Sequence, residues 1–284
     1  MKIAFYDSSG SFNDGFRPHL IKYINKAYPD SHIFGLKCDS NAFNVHRISK
    51  EIKSSDMVVI WNGSEFGCFW VKEICKTFNI PYCVTERGLF PQGKSNFMVD
   101  REGICCRSES IQEKYLDKSN LNELKNIIYH HYAKNNLEYK NPEEKYVFVL
   151  QLEFDSTVYH YSNFSSNEDM IDKFVHSNQI DSSKVIVCPH PRNKNINSKY
   201  KISTNKTIEE CQSAKLAIGI SSTTMYEILG MGCPVKILGG NNKLIHPINR
   251  QWSDKNLIIP TILQNQIEST DDADTIRHKI EKNL

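Results

Sequence analysis

The chain has 284 residues, long for one domain and comfortable for two of about 140 each. Lys and Arg total 35 against 33 Asp and Glu, so bulk charge points to neither nucleic acid nor an acidic polymer as partner. A hydrophobic fraction of 39% supports real cores, and no run of about 18 apolar residues exists to span a membrane.

Ile3 to Tyr6 is a short apolar run that breaks at Asp7-Ser8-Ser9-Gly10, and a strand starting so early leaves no room for a signal peptide. Pro18 to Tyr28 has helical spacing, Ser31 to Leu36 reads as a strand, and Ile48 to Lys53 as a helix. Asp56-Met57-Val58-Val59-Ile60-Trp61 is a buried strand ended by Asn62-Gly63. Cys68 to Phe78 reads as a helix and Ile80 to Thr85 as a strand, followed directly by Glu86-Arg87-Gly88. This alternation predicts a parallel sheet covered by helices. Gln112 to Tyr139 is polar with helical spacing.

Asn141-Pro142-Glu143-Glu144-Lys145 is a charged, turn-like break. It marks the expected boundary between two domains, 1–141 and 142–284. Tyr146 to Gln151 then opens a second α/β unit. A helix at Glu168 to Asn178 and a strand at Val185 to Cys188 follow. Thr207 to Gln212 reads as a short helix capped by Thr207. Leu216 to Ile220 is a strand, Thr224 to Gly230 a helix, Pro234 to Leu238 a strand, and a terminal helix follows Asp271. Asn193 to Asn205 reads as a mobile loop. The expected class is α/β, with two Rossmann-like domains facing a cleft.

Nine cysteines (Cys38, Cys68, Cys75, Cys83, Cys105, Cys106, Cys188, Cys211 and Cys233) are scattered, with no CxxC and no zinc spacing. That is poor evidence for disulfides or metal, and several of them lie inside apolar runs and read as buried thiols of a reducing cytosol.

Four constellations carry candidate chemistry. Gln151-Leu152-Glu153-Phe154-Asp155 follows a strand, and a carboxylate at a strand's carboxyl end suits a nucleophile, a base or a ribose ligand. A solvated loop acid is the ordinary alternative. Pro189-His190-Pro191-Arg192 stiffens a histidine between two prolines, where His190 can donate to a phosphate and Arg192 can pair with phosphate or carboxylate. Its plain alternative is a rigid turn with a surface histidine. Ser221-Ser222-Thr223-Thr224 opens a helix, and its N–H groups and hydroxyls suit an anion, although one hydroxyl is explained by an N-cap. Glu227 lies one turn inside, as a ribose acceptor or a first-turn acid. Glu86, at the end of an N-terminal strand, is either a general base or a loop acid.

Taken together, these residues resemble the β-Kdo glycosyltransferases of the bacterial capsule and lipopolysaccharide polysaccharide biosynthesis family. The resemblance rests on Trp61-Asn62-Gly63, Glu86-x-Gly88, Gln151-x-x-x-Asp155, His190-Pro191, and Ser221-Ser222 with Glu227 before Gly232-x-Pro234-Val235. Order and spacing match over roughly residues 55 to 240. It implies a GT-B-like fold, CMP-β-Kdo as donor, retention of configuration and no catalytic metal or other cofactor. It implies Asp155 as nucleophile, Glu86 as activator of the acceptor, and His190 beside the donor phosphate. Gln151, Arg192, Ser221, Ser222, Thr223, Glu227, Asn62 and Gly88 then line the substrate sites. The stretch Glu86 to Gln92 is closer to the lipopolysaccharide-type enzymes than to the capsule-initiating ones, and the chain is shorter than the multi-module members. Implied partners are the CMP-sugar and an oligosaccharide or lipid-linked glycan, with no nucleic acid, in the cytoplasm. Contact with the cytoplasmic face of the inner membrane stays open, since the basic stretch Lys114 to Lys140 reads first as a solvated face. An inverting, sialyltransferase-like enzyme, a UDP-sugar epimerase-like enzyme and a non-catalytic nucleotide- or glycan-binding protein are the alternatives.

Overall fold

The fold is taken from a computed structural model that describes residues 1–7, 15–36, 45–63, 66–93, 95–103, 105–193, 196–240 and 244–284, without the side chains of Phe66, Ser156, Thr157 and Tyr159. Ser8 to Gly10, Cys38 and part of the Asn193 to Asn205 loop lie outside the described residues. In chain order the elements begin β1 (Lys2–Tyr6), α1 (Arg17–Ala27), β2 (His32–Leu36), α2 (Val45–Lys53), β3 (Met57–Trp61), α3 (Phe66–Phe78), β4 (Tyr82–Arg87), β5 (Phe97–Asp100) and α4 (Leu121–Lys134). They continue with β6 (Glu143–Val149), α5 (Ser156–Tyr161), α6 (Asn167–Ser177), β7 (Val185–Cys188), β8 (Lys201–Ile202), α7 (Thr207–Glu210), β9 (Ala214–Gly219), α8 (Thr224–Gly230), β10 (Val235–Ile237), α9 (Ile258–Asn265), β11 (Gln266–Ile267) and α10 (Ala273–Glu281).

The chain divides into two compact units, Met1–Tyr115 with Thr261–Leu284, and Leu116–Pro260. The break therefore falls elsewhere than the expected 141/142 boundary. The physical reason is a return of the chain: β11 pairs antiparallel with β5, and α10 packs on α1 of the first unit. The long polar helix expected from Gln112 to Tyr139 is also shorter. Asp117 accepts from the Ser119 N–H and caps a 3₁₀ turn, so α4 starts only at Leu121.

The first unit holds a sheet in the order β11-β5-β4-β3-β1-β2, with β2, β1, β3 and β4 parallel. Both faces are covered, which is why β3 reads as a continuous apolar run. Ile3, Phe5, Met57 and Val59 pack on one face with Leu20 and Ile24 of α1 and Ile276 and Ile280 of α10. Ala4, Tyr6, Val58 and Ile60 pack on the other with Ile48 and Ile52 of α2 and Val71 of α3. Asp100 closes β5 as a buried staple, its carboxylate accepting from the N–H groups of Glu102, Gly103, Glu109 and Ser110 and from the Ser108 hydroxyl.

The second unit holds a sheet in the order β10-β9-β6-β7-β8, parallel throughout. Phe148, Leu150, Val185, Val187 and Ile218 form its core with Met170, Ile171 and Val175 of α6. The expected cap of α7 differs: Lys206 occupies the N-cap position and no side-chain cap bond forms. Glu210 of that helix is buried instead, accepting from Lys145 Nζ at 2.9 Å, Ser203 Oγ at 2.5 Å and Asn205 Nδ2 at 3.0 Å. Burial pushes its carboxyl up, but these donors outweigh burial and hold it below its ordinary value.

Candidate active site

Open parallel sheets bind ligands beyond the carboxyl ends of their strands, where the strand order reverses. In the second unit the chain runs from β6 to β7 and β8 on one side, then crosses to β9 and β10 on the other. The switch point lies between β6 and β9. Val149 of β6 is in register with Cys188 of β7 and with Gly219 of β9. Two residues beyond that line stand Gln151, His190 and Ser221. Three sequence-predicted residues thus follow the carboxyl ends of neighbouring strands whose last paired residues are in register.

Gln151 is buried and works as a strut between the two halves of the switch point. Its Oε1 accepts from the Ser221 N–H at 2.8 Å and from the Ser221 hydroxyl at 3.2 Å. Its carbonyl accepts from Asn167 Nδ2 at 3.0 Å, fixing the start of α6. Ser221 is 2% exposed, so of the four consecutive hydroxyls this one is engaged with Gln151. Ser222 and Thr223 are half-buried, and Thr223 forms no side-chain cap of the short helix α8. Glu227, on α8, is half-buried, and its backbone carbonyl accepts from the Tyr132 hydroxyl.

Asp155 ends a turn in which its N–H donates to the Leu152 carbonyl at 2.9 Å. It is half-buried, and its charge reaches His190. At His190, burial and then the Arg192 guanidinium lower the imidazole pKa, outweighing the opposing pull of Asp155. The ring is neutral at pH 7. Its Nδ1 accepts from the Arg192 N–H at 3.1 Å, which assigns the remaining proton to Nε2 as a donor. Arg192 itself is exposed. Cys188, at the end of β7, is buried and its thiol is pushed up to about 12, which removes it as a nucleophile near neutral pH.

In the first unit the strand order reverses between β1 and β3. Asn62 follows β3 with a left-handed φ of 69°, and its N–H donates to the Thr85 carbonyl at 2.8 Å. Glu86 lies on β4, half-buried, with one carboxylate oxygen accepting from the Arg87 N–H at 2.9 Å. The Arg87 guanidinium lies 3.8 Å from the Phe16 ring centroid. Gly88 is required by packing: a Cβ there would lie 2.6 Å from Asn96 Cβ and 2.8 Å from Gln266 Oε1. The sequence reading missed Asp7 and Arg17 at this switch point. Asp7, 1% exposed at the end of β1, pairs with Arg17 at the start of α1, whose guanidinium lies 5.9 Å from the Trp61 ring centroid. The available signal was Asp7 itself, a carboxylate directly after an apolar strand.

Among the described residues no group of three or more His, Cys, Asp or Glu is placed to hold a metal ion. No helix among them is long and apolar enough to cross a membrane.

The sequence model of one family matches residues 107–239. That model describes the capsule polysaccharide biosynthesis protein family, and this segment of the chain is similar to it. The segment contains Gln151, Asp155, His190, Arg192, Ser221, Ser222, Thr223 and Glu227, while Asn62, Glu86 and Gly88 precede it. No curated protein matches the chain. A solved structure, the KpsC β-Kdo 2,7 transferase of Thermosulfurimonas dismutans, matches at a TM-score of 0.64 and 14% identity over 100% of both chains. At that identity the likeness is one of fold. A transcription regulator-like protein of Staphylococcus haemolyticus matches 81% of this chain and 72% of its own at 10% identity, with a TM-score of 0.27.

Proposed function

We propose that this chain is a GT-B-type retaining glycosyltransferase that moves Kdo from CMP-β-Kdo to a glycan acceptor, in capsule or lipopolysaccharide synthesis. The observation that carries the reading is the placing of Gln151, His190 and Ser221 just past the ends of three in-register strands at the switch point of the second sheet, with Gln151 bonded to Ser221. The family segment and the fold of KpsC, described as a β-Kdo transferase, support the same class.

In this reading the second unit takes the donor. The neutral His190 donates from Nε2 to the phosphate, Ser222 and Thr223 add hydroxyl donors, Arg192 adds charge, and Glu227 accepts from the ribose. Kdo is a keto sugar with a fully substituted anomeric carbon, so its bond to CMP breaks with oxocarbenium character. The Asp155 carboxylate attacks that carbon as the bond to the phosphate oxygen breaks, and the electron pair leaves with CMP. Glu86, with Asn62 and Gly88 shaping its surroundings, is the base of the second step. It takes the proton of the acceptor hydroxyl, whose oxygen bonds the anomeric carbon and expels the Asp155 carboxylate. Two inversions give net retention. The reading needs no metal or other cofactor, places the enzyme in the cytoplasm, and takes an oligosaccharide or lipid-linked glycan as acceptor, with peripheral contact at the inner membrane.

A thermal-shift panel of CMP, CDP, UDP and GDP tests the nucleotide. Selective stabilisation by CMP is expected, since a ligand that binds only the folded state stabilises it by mass action. Equal shifts, or a selective shift with UDP, refute the donor assignment.

A further inference from the structure

The C-terminal segment that returns to the first sheet holds the strand end that carries Glu86. Gln266 of β11, Met98 of β5 and Glu86 of β4 lie in one row across three neighbouring antiparallel-paired strands. Gln266 is 0% exposed. Its Oε1 accepts from the Leu89 N–H at 2.6 Å and from the Phe90 N–H at 3.1 Å. Its Nε2 donates to the Phe90 carbonyl and to the Glu268 carboxylate. The amide thus satisfies three backbone groups of the turn that follows Glu86-Arg87-Gly88, a turn otherwise tied back by the Gly88 N–H to the Asn96 carbonyl at 2.7 Å. Glycine at 88 is what lets the Gln266 amide approach. On the other side Lys279 donates to the Gln266 carbonyl and to Asp271, both at 2.7 Å, which anchors the clamp to α10.

We propose that Gln266 is a positioning residue for Glu86: through the backbone of Leu89 and Phe90 it fixes the end of β4 and thereby the aim of the Glu86 carboxylate at the acceptor. This rests on the reading of Glu86 as the acceptor-side base. A side chain 180 residues away in sequence then sets the acceptor half of the reaction while leaving the donor half to the other unit.

The test uses the full chain with CMP-Kdo, alone and with methyl glycosides of Kdo, galactose and N-acetylglucosamine as acceptor probes. It compares wild type, Gln266→Leu, which removes donor and acceptor, and Gln266→Glu, which keeps the acceptor of the Leu89 and Phe90 N–H groups. Hydrogen exchange is followed over residues 86–93 and, as a control, 57–61. Gln266→Leu is expected to lose protection at 86–93 and keep it at 57–61. Its acceptor-dependent CMP release should fall tenfold or more, while acceptor-independent release stays within twofold, and Gln266→Glu should fall between the two. Parallel loss of both rates, or lost protection with unchanged transfer, overturns the proposal. A wild type that releases no CMP refutes the transferase reading instead. The clamp is then judged by exchange, and unchanged protection at 86–93 in Gln266→Leu overturns it.

Discussion

Replacing Gln151 by leucine removes the strut of the second unit's switch point while keeping an apolar side chain of similar size. Two hydrogen bonds into Ser221 disappear, from its N–H at 2.8 Å and its hydroxyl at 3.2 Å. Both partners are buried, Gln151 at 8% and Ser221 at 2% exposure, so water does not readily replace the lost acceptor. A buried donor deprived of its acceptor costs about 1–3 kcal/mol. The expected loss is therefore ~2–6 kcal/mol, which at roughly 3 °C per kcal/mol for a unit of this size lowers its Tm by about 6–18 °C. Differential scanning calorimetry reads it directly, with Gln151→Glu as the control that retains an acceptor. The β9 end should also detach from the β6 end, weakening CMP binding by tenfold or more in a thermal-shift titration. A Tm change under about 2 °C with unchanged CMP affinity would refute the view that this amide ties the two halves of the site together.

Further outcomes follow from the same geometry. Gly88→Ala forces a Cβ to 2.6 Å from Asn96 and should cost about 1–3 kcal/mol by overpacking, read as a lowered Tm of the first unit; an unchanged Tm would mean the turn has room to yield. Burial pushes the Glu268 carboxyl up to about 7 from its ordinary 4.5. Its folded pKa lies above the unfolded one, so its stabilising contribution is fully present below about pH 4.5 and is lost as pH rises through about 7. Glu268→Gln should therefore flatten the fall in Tm between pH 5 and 8.5, and a wild-type Tm that rises over that range contradicts the assignment. Because the His190 ring is neutral at pH 7 and presents its Nε2 proton, His190→Gln should retain part of the donor affinity while His190→Phe loses at least tenfold, measured by calorimetric titration with CMP; equal affinities would remove His190 from the phosphate.

The sheets were legible where strands are buried on both faces. Val185 to Cys188 and Met57 to Trp61 are continuous apolar runs because helices cover both sides of each parallel sheet. β5 and β11 were not legible. Phe97–Asp100 is four residues long inside a loop-like stretch, and Gln266–Ile267 is a strand only because β5 offers it a distant edge. α9 was hidden by Pro260 within Ile258–Asn265, although a proline in the first helical turn removes no internal hydrogen bond. The long helix predicted over Gln112 to Tyr139 failed at Asp117, whose side chain prefers to cap a turn.

At the site, the strand ends were readable because His190 and Ser221 follow apolar runs at once. What the string could not carry is the level register of β6, β7 and β9, which makes Gln151 a strut for Ser221. Nor could it carry the pairing of Asp7 with Arg17, or of Gln266 with the Leu89 and Phe90 backbone. These contacts depend on non-local pairing, which leaves no local periodicity.

Intact-protein mass spectrometry is the direct test of the proposed covalent intermediate on Asp155. A Glu86→Gln variant, slowed in the second step, is incubated with CMP-Kdo, and the adduct is mapped by peptide digestion. A mass gain of one Kdo residue is expected on the peptide containing Asp155 and is absent in the Glu86→Gln/Asp155→Asn double variant. CMP release without any adduct, or an adduct that persists when Asp155 is replaced, would contradict it.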